Sequence, residues 1–96
     1  MASTELIKDF KDRLHISHSS EDTHIGNLID MSEAYIRRRC GDFVISESFT
    51  GRELVLERAK SAYEGQLAYF DETYEMMIVA FGLDLQSAVI ADETTV

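Results

Sequence analysis

Residues 19–41, SSEDTHIGNLIDMSEAYIRRRCG, decide the fold class. Ile25, Leu28, Ile29, Ser32, Tyr35, Ile36 and Cys40 recur at intervals of three and four, the spacing that gathers side chains on one face of an α-helix. Asp30, Glu33 and Arg37 fall on another face. Ser19 or Ser20 is placed to cap the start, and Glu21 and Asp22 suit its positive end. Arg37, Arg38 and Arg39 suit the negative end, and Gly41 is a stop. A helix bounded near residues 20 and 41 is therefore predicted, with one apolar stripe that needs other helices to cover it.

Upstream, Ser3 can cap a shorter helix with Glu5 in its first turn, and Leu6, Ile7, Phe10 and Leu14 share a face. Asp9 and Arg13 are spaced for an ion pair one turn apart. The polar string His15-Ile16-Ser17-His18-Ser19-Ser20 reads as a turn. Downstream, DFVISESFT at 42–50 breaks the helical period with β-branched and aromatic residues among serines, so it reads as a loop or part of a short β-ribbon. Phe43, Val44, Ile45 and Phe49 are too apolar for free solvent, so this segment either folds back on the core or meets another chain.

A third helix is predicted from about Thr50 or Gly51 to about Phe70, on a stripe of Leu56, Ala59, Tyr63, Leu67 and Phe70. Val55, Ala62, Gln66 and Tyr69 form an adjacent stripe, and Ala59, Ala62 and Gly65 are small enough for another helix to approach closely. That wide apolar arc marks the central helix. After Asp71-Glu72-Thr73, the spacing of Tyr74, Met77, Ile78 and Phe81 predicts a short fourth helix ended by Gly82. Residues 83–96 read as an extended acidic tail in which Leu83, Leu85, Val89 and Ile90 keep enough apolar character to dock on a partner. The expected fold is all-α: a bundle of about four helices over residues 1–82, with an inter-helix loop or short ribbon and an extended tail over 83–96.

Composition supports that class. The 96 residues include no proline and five glycines, so little interrupts a helix, and 45% hydrophobic content is enough for one core. The formal net charge of −9 is uneven. Residues 1–60 hold all nine Lys and Arg against eleven acids, while 61–96 hold seven acids and no base. Such a field disfavours conventional duplex binding, which requires several cations in one patch. The start MASTELIKDF lacks the apolar stretch of a signal peptide and no run is long enough for a membrane span, so synthesis in the cytosol with no membrane partner is expected.

Chemistry-bearing patterns are sparse. His15, His18 and His24 lack the one-turn spacing of a helical metal pair, and Cys40 is the sole cysteine, so neither a metal nor a cofactor is expected. The acid pairs Glu21-Asp22 and Asp71-Glu72 sit at predicted helix boundaries, where dipole and solvation account for them. Successive helical residues diverge by about 100°, so Arg37, Arg38 and Arg39 cannot form one basic patch. Arg39, three residues past Ile36, lies on the apolar stripe and is expected to need a carboxylate partner.

The chain also resembles the small head-to-tail connector (adaptor) family of long-tailed phages. The resemblance rests on Leu14-His15-Ile16 before Ser19-Ser20-Glu21-Asp22, then Ile25, Leu28-Ile29 and Ala34-Tyr35-Ile36, and later Ala59-Lys60-Ser61-Ala62-Tyr63 with Tyr69-Phe70, over roughly residues 5–85. It implies a structural protein with no enzymatic step and no cofactor. The family's subunits assemble as a ring, commonly twelve-membered, beneath the portal protein, extend the DNA channel and link the capsid to a tail completion or stopper protein. That places the protein in the virion at the capsid-tail junction, assembled in the host cytoplasm, with DNA passing through without sequence-specific binding. Asp71-Glu72 and the acidic tail depart from the family's basic or aromatic ending, which leaves the portal-binding surface open. Arg37, Arg38, Arg39, Phe43, Val44, Ile45, Phe49, Leu83, Leu85, Val89 and Ile90 are the expected subunit or partner contacts. A small helical protein-binding regulator of a phage or bacterium is the alternative, and a small hydrolase or metal enzyme the more remote one.

Overall fold

A computed structural model describes the backbone of residues 2–94 and the side chains of residues 2–87. Four helices follow one another: α1 (Thr4–Leu14), α2 (Asp22–Cys40), α3 (Phe49–Tyr63) and α4 (Leu67–Thr94). No strand occurs among the described residues, so the segment expected as a loop or ribbon is a loop.

Local chemistry sets most of the ends. The Ser3 hydroxyl accepts from the Leu6 amide at 3.1 Å and starts α1, as the sequence predicts. His15 closes α1 in the left-handed region at φ 58°, and the Ile16 amide returns to the Lys11 carbonyl at 2.9 Å. Gly41, at φ 110°, ends α2 with its amide on the Arg37 carbonyl at 2.8 Å. Ser48 caps α3, its hydroxyl accepting from the Gly51 amide at 3.0 Å.

Three boundaries differ from the sequence expectation. The start of α2 has no side-chain cap: Ser20 instead pairs with His18 Nδ1 at 2.9 Å, and Glu21 occupies the cap position. The long third helix is two helices. Gly65 takes φ 71°, which lets the Gln66 amide reach back to the Ser61 carbonyl at 2.7 Å and close α3 before α4 begins. Finally α4 does not stop at Gly82, so the segment expected to be extended from residue 83 is helical through residue 94. A glycine inside a helix costs only about 1 kcal/mol relative to alanine. Here it stands against the end of α2, where a Cβ would lie 3.5 Å from the Cα of Cys40, so a small residue fits the close crossing of two helices.

Helices α2 and α3 each pack on the three others, whereas α1 and α4 lie against this pair without packing on one another. The core joins Phe10 of α1, Ile25, Ile29 and Ile36 of α2, Leu54, Leu56 and Ala59 of α3, and Phe70, Ile78 and Phe81 of α4. The stripe read from residues 19–41 is thus the buried one, with Leu28, Tyr35 and Cys40 packed at its margin. Leu67 is a correction: placed in the buried stripe of one continuous helix, it is 38% exposed, because the Gly65 turn re-aims it at the free start of α4. Arg13 is another. It does not pair along its own helix with Asp9 but reaches α3, bridging Glu53 and Glu57, the latter at 3.0 Å.

Candidate functional site

The loop between α2 and α3 separates its apolar residues by direction. Phe43 folds inward, edge-on to Phe81 of α4 with ring centroids 5.3 Å apart, and the Arg37 guanidinium lies over its other side at 4.7 Å. Ile45 is half-buried against the core. Val44 and Phe49 point out, Phe49 with 70% of its surface exposed. This loop therefore offers solvent one aliphatic and one aromatic side chain beside the start of α3.

The three consecutive arginines go three ways, as the 100° rotation per residue requires. Arg37 pairs with Glu33 one turn back at 2.8 Å and approaches Asp42 at 3.7 Å. Arg39 crosses to α4 and grips Glu75 with both nitrogens, at 2.6 and 3.0 Å, while also donating to the Tyr35 hydroxyl at 3.3 Å. The carboxylate partner expected for Arg39 is thus Glu75 of the same chain. The pair raises the Arg39 pKa and lowers that of Glu75, chiefly through these hydrogen bonds. Tyr35 in turn donates to Asp71 at 3.3 Å and carries the Arg58 guanidinium 4.0 Å over its ring. Arg38 is exposed and, alone of the three, forms no ion pair among the described residues.

Along α4 the apolar surface is not confined to the core side. Tyr69, Met76, Met77, Val79 and Leu83 are exposed, Met76 to 84%. The sequence reading takes Tyr74, Met77, Ile78 and Phe81 for their helical spacing and leaves Met76 and Val79 unassigned. The signal was present, since the run Met76-Met77-Ile78-Val79 covers more of a helix than one contact can bury. Leu83 is exposed and Leu85 packs at the core margin. Val89 and Ile90 lie within α4, and their side chains are outside the described residues.

Reactive groups are held in structural roles. The Cys40 thiol donates to the Ile78 carbonyl at 3.3 Å, and burial pushes its pKa up, away from the thiolate that nucleophilic chemistry needs. The Tyr63 hydroxyl donates to Glu21 at 2.7 Å, tying α3 to the start of α2. No group of three or more His, Cys, Asp or Glu among the described residues is placed to hold a metal. An open groove of about 300 Å³ between α1 and α2 is lined by Ile7, Asp22, Gly26 and Asp30. No described helix is long and apolar enough to cross a membrane. What the surface offers other molecules includes the exposed apolar side chains of the α2–α3 loop and of α4.

No curated protein and no solved structure matches the chain. The family model described as phage gp6-like head-tail connector protein matches it over residues 4–83, which takes in α1, α2, α3 and the first half of α4.

Proposed function

The chain belongs to the phage gp6-like head-tail connector family, whose members are structural components of the head-tail junction, and from that premise we propose that it forms a ring beneath the portal. The ring, twelve-membered by the family's habit, extends the DNA channel and receives a tail completion or stopper protein on its far side. Its role is passive: it positions and joins, and no bond is made or broken. Assembly takes place in the host cytoplasm.

The observation that best supports a role in assembly is the amount of apolar surface on so small a body. Val44 and Phe49 beside the loop, and Tyr69, Met76, Val79 and Leu83 along α4, leave about half or more of their surface exposed. Such exposure is the mark of surfaces covered by other chains. Of the expected contact residues with described side chains, Val44, Phe49, Arg38 and Leu83 are exposed to meet another molecule, and residues 83–94 extend the reach of α4 toward a portal or tail component. The DNA passing through meets carboxylates: twelve chains carry a formal charge on the order of minus one hundred, and like charge keeps the duplex from adhering.

The test is attachment. Purified chain mixed with DNA-filled heads that carry a portal and lack a tail should co-sediment with them and add ring-shaped density at one vertex in electron micrographs. Heads without a portal should not bind. A chain that ignores portal-bearing heads is not a connector and belongs with small helical binding regulators.

A further inference from the structure

Helix α4 is apolar on two opposite sides. One side, Phe70, Tyr74, Ile78 and Phe81, is spent on the core. The other carries Tyr69, Met76 and Leu83, seven residues apart and so nearly in line, with Val79 between them. Apolar area on two sides of a helix calls for cover on both, yet nothing among the described side chains covers this second side.

Charge indicates what covers it. The described side chains of α4 include Asp71, Glu72, Glu75 and Asp84 and no base. Two copies meeting face to face through α4 would set carboxylate against carboxylate, so a two-fold contact on this side is opposed and the matching surface must bring a base. All the bases lie in residues 1–60. Lys8, Lys11, Arg13, Arg37 and Arg39 are in ion pairs within the chain, and Arg58 is held between Ser32 and Tyr35. Arg52 and Lys60 are half-buried. Arg38 is exposed, and seven residues before it on the same line of α2 stands Met31, 65% exposed, with exposed Ala34 between. Met31, Ala34 and Arg38 give this outer face of α2 an apolar and basic line, with Asp30 and Glu33 at its edge, where the outer face of α4 is apolar and acidic.

Building on the ring reading above, we propose that the outer face of α4 in one copy, centred on Met76, docks on the outer face of α2, Met31 to Arg38, in the next copy. Glu72, on the strip between Tyr69 and Met76, receives Arg38. The two surfaces differ, so the contact is head-to-tail, and a joined pair keeps one free face of each kind, α2 on one copy and α4 on the other. A head-to-tail contact repeated with a rotation closes into a ring, which a face-to-face contact cannot do.

The experiment is sedimentation velocity on the full-length chain, alone and on portal-bearing heads, with helix content followed by circular dichroism. The double variant Met76→Asp/Leu83→Asp changes only exposed side chains, so it should keep its helix content and remain monomeric where the wild-type chain assembles. Arg38→Glu and Glu72→Arg should each raise the concentration needed for assembly by roughly tenfold, as a facing attraction becomes a repulsion, and the combined Arg38→Glu/Glu72→Arg chain should regain most of it. Assembly of the Met76→Asp/Leu83→Asp chain like wild type overturns the proposal, and so does loss of head attachment in that variant with self-assembly intact. Arg38→Glu without effect overturns α2 as the matching face. A wild-type chain that assembles as expected but ignores portal-bearing heads removes the connector reading and leaves this contact standing.

Discussion

At Arg13 three charges from two helices meet: its guanidinium bridges Glu53 and Glu57, which stand one turn apart on α3. The arginine holds the Glu53 carboxyl below its ordinary range, mainly through the hydrogen bond. A carboxyl whose folded pKa is depressed adds stability that is fully present above its unfolded value, near 4.3, and is lost as pH falls through the folded value. Arg13→Ala should therefore cost about 1 kcal/mol at pH 7, allowing for solvent screening of a partly open cluster, and less at pH 3. Urea melts of both chains at the two pH values check this, and an equal cost at both would show that packing of the arginine stem, not its charge, matters. The arginine run allows a second comparison. Arg39 links α2 to α4 through Glu75 and Tyr35, whereas Arg38 is exposed and forms no ion pair among the described residues. Arg39→Ala should lower the melting temperature of the dilute chain and Arg38→Ala should leave it unchanged.

At the scale of the helices, what was legible in the sequence was periodicity, and what was not was the geometry of turns and crossings. The stripe from Ile25 to Cys40, the Ser3 cap and the Gly41 stop could be read because each is a local pattern with one structural meaning. Gly65 and Gly82 could not be told apart in the same way. Both stand among apolar helix formers, yet one adopts a left-handed turn that splits the expected helix and the other stays helical at a crossing with α2. Which glycine ends a helix depends on where the next helix must go, a tertiary condition absent from spacing. The same limit applied to contact residues: Phe43 and Phe49 look alike in sequence, but the Gly41 turn sends one into the core and leaves the other outside. The steric surroundings of two glycines yield a pair of opposite predictions. At Gly82 a Cβ meets Cys40 no closer than 3.5 Å, an ordinary contact, so Gly82→Ala should gain up to about 1 kcal/mol from helix propensity. At Gly51 a Cβ would lie 2.5 Å from the Phe43 ring and 2.9 Å from the Ser48 capping hydroxyl. Gly51→Ala must displace both and should cost about 1–3 kcal/mol. Chemical denaturation of the two variants against wild type gives the signs directly.

For the molecule as a whole, the governing quantities are its formal charge of −9 and its slender body, 50 × 27 × 17 Å. In the proposed ring, neighbours would meet as like-charged bodies, and their repulsion would act over tens of ångströms at low ionic strength. In the proposed contact the attraction is short-ranged: apolar side chains on α4 and the α2 face, with an acid-base pairing beside them. The Debye length falls from about 30 Å at 0.01 M salt to about 8 Å at 0.15 M, which removes repulsion across the breadth of a subunit while leaving direct apolar contacts intact. Assembly, followed by sedimentation at fixed protein concentration, should therefore strengthen as salt rises through this range. Lowering the pH toward the pI near 4.6 should act in the same direction at low salt, by discharging carboxylates rather than screening them. Because subunits bind one another only when folded, the melting temperature should climb with protein concentration at 0.15 M salt and hardly change at 0.01 M. Assembly that weakens steadily with added salt would instead mean that paired charges hold the subunits together, and the apolar side of α4 would then need another occupant.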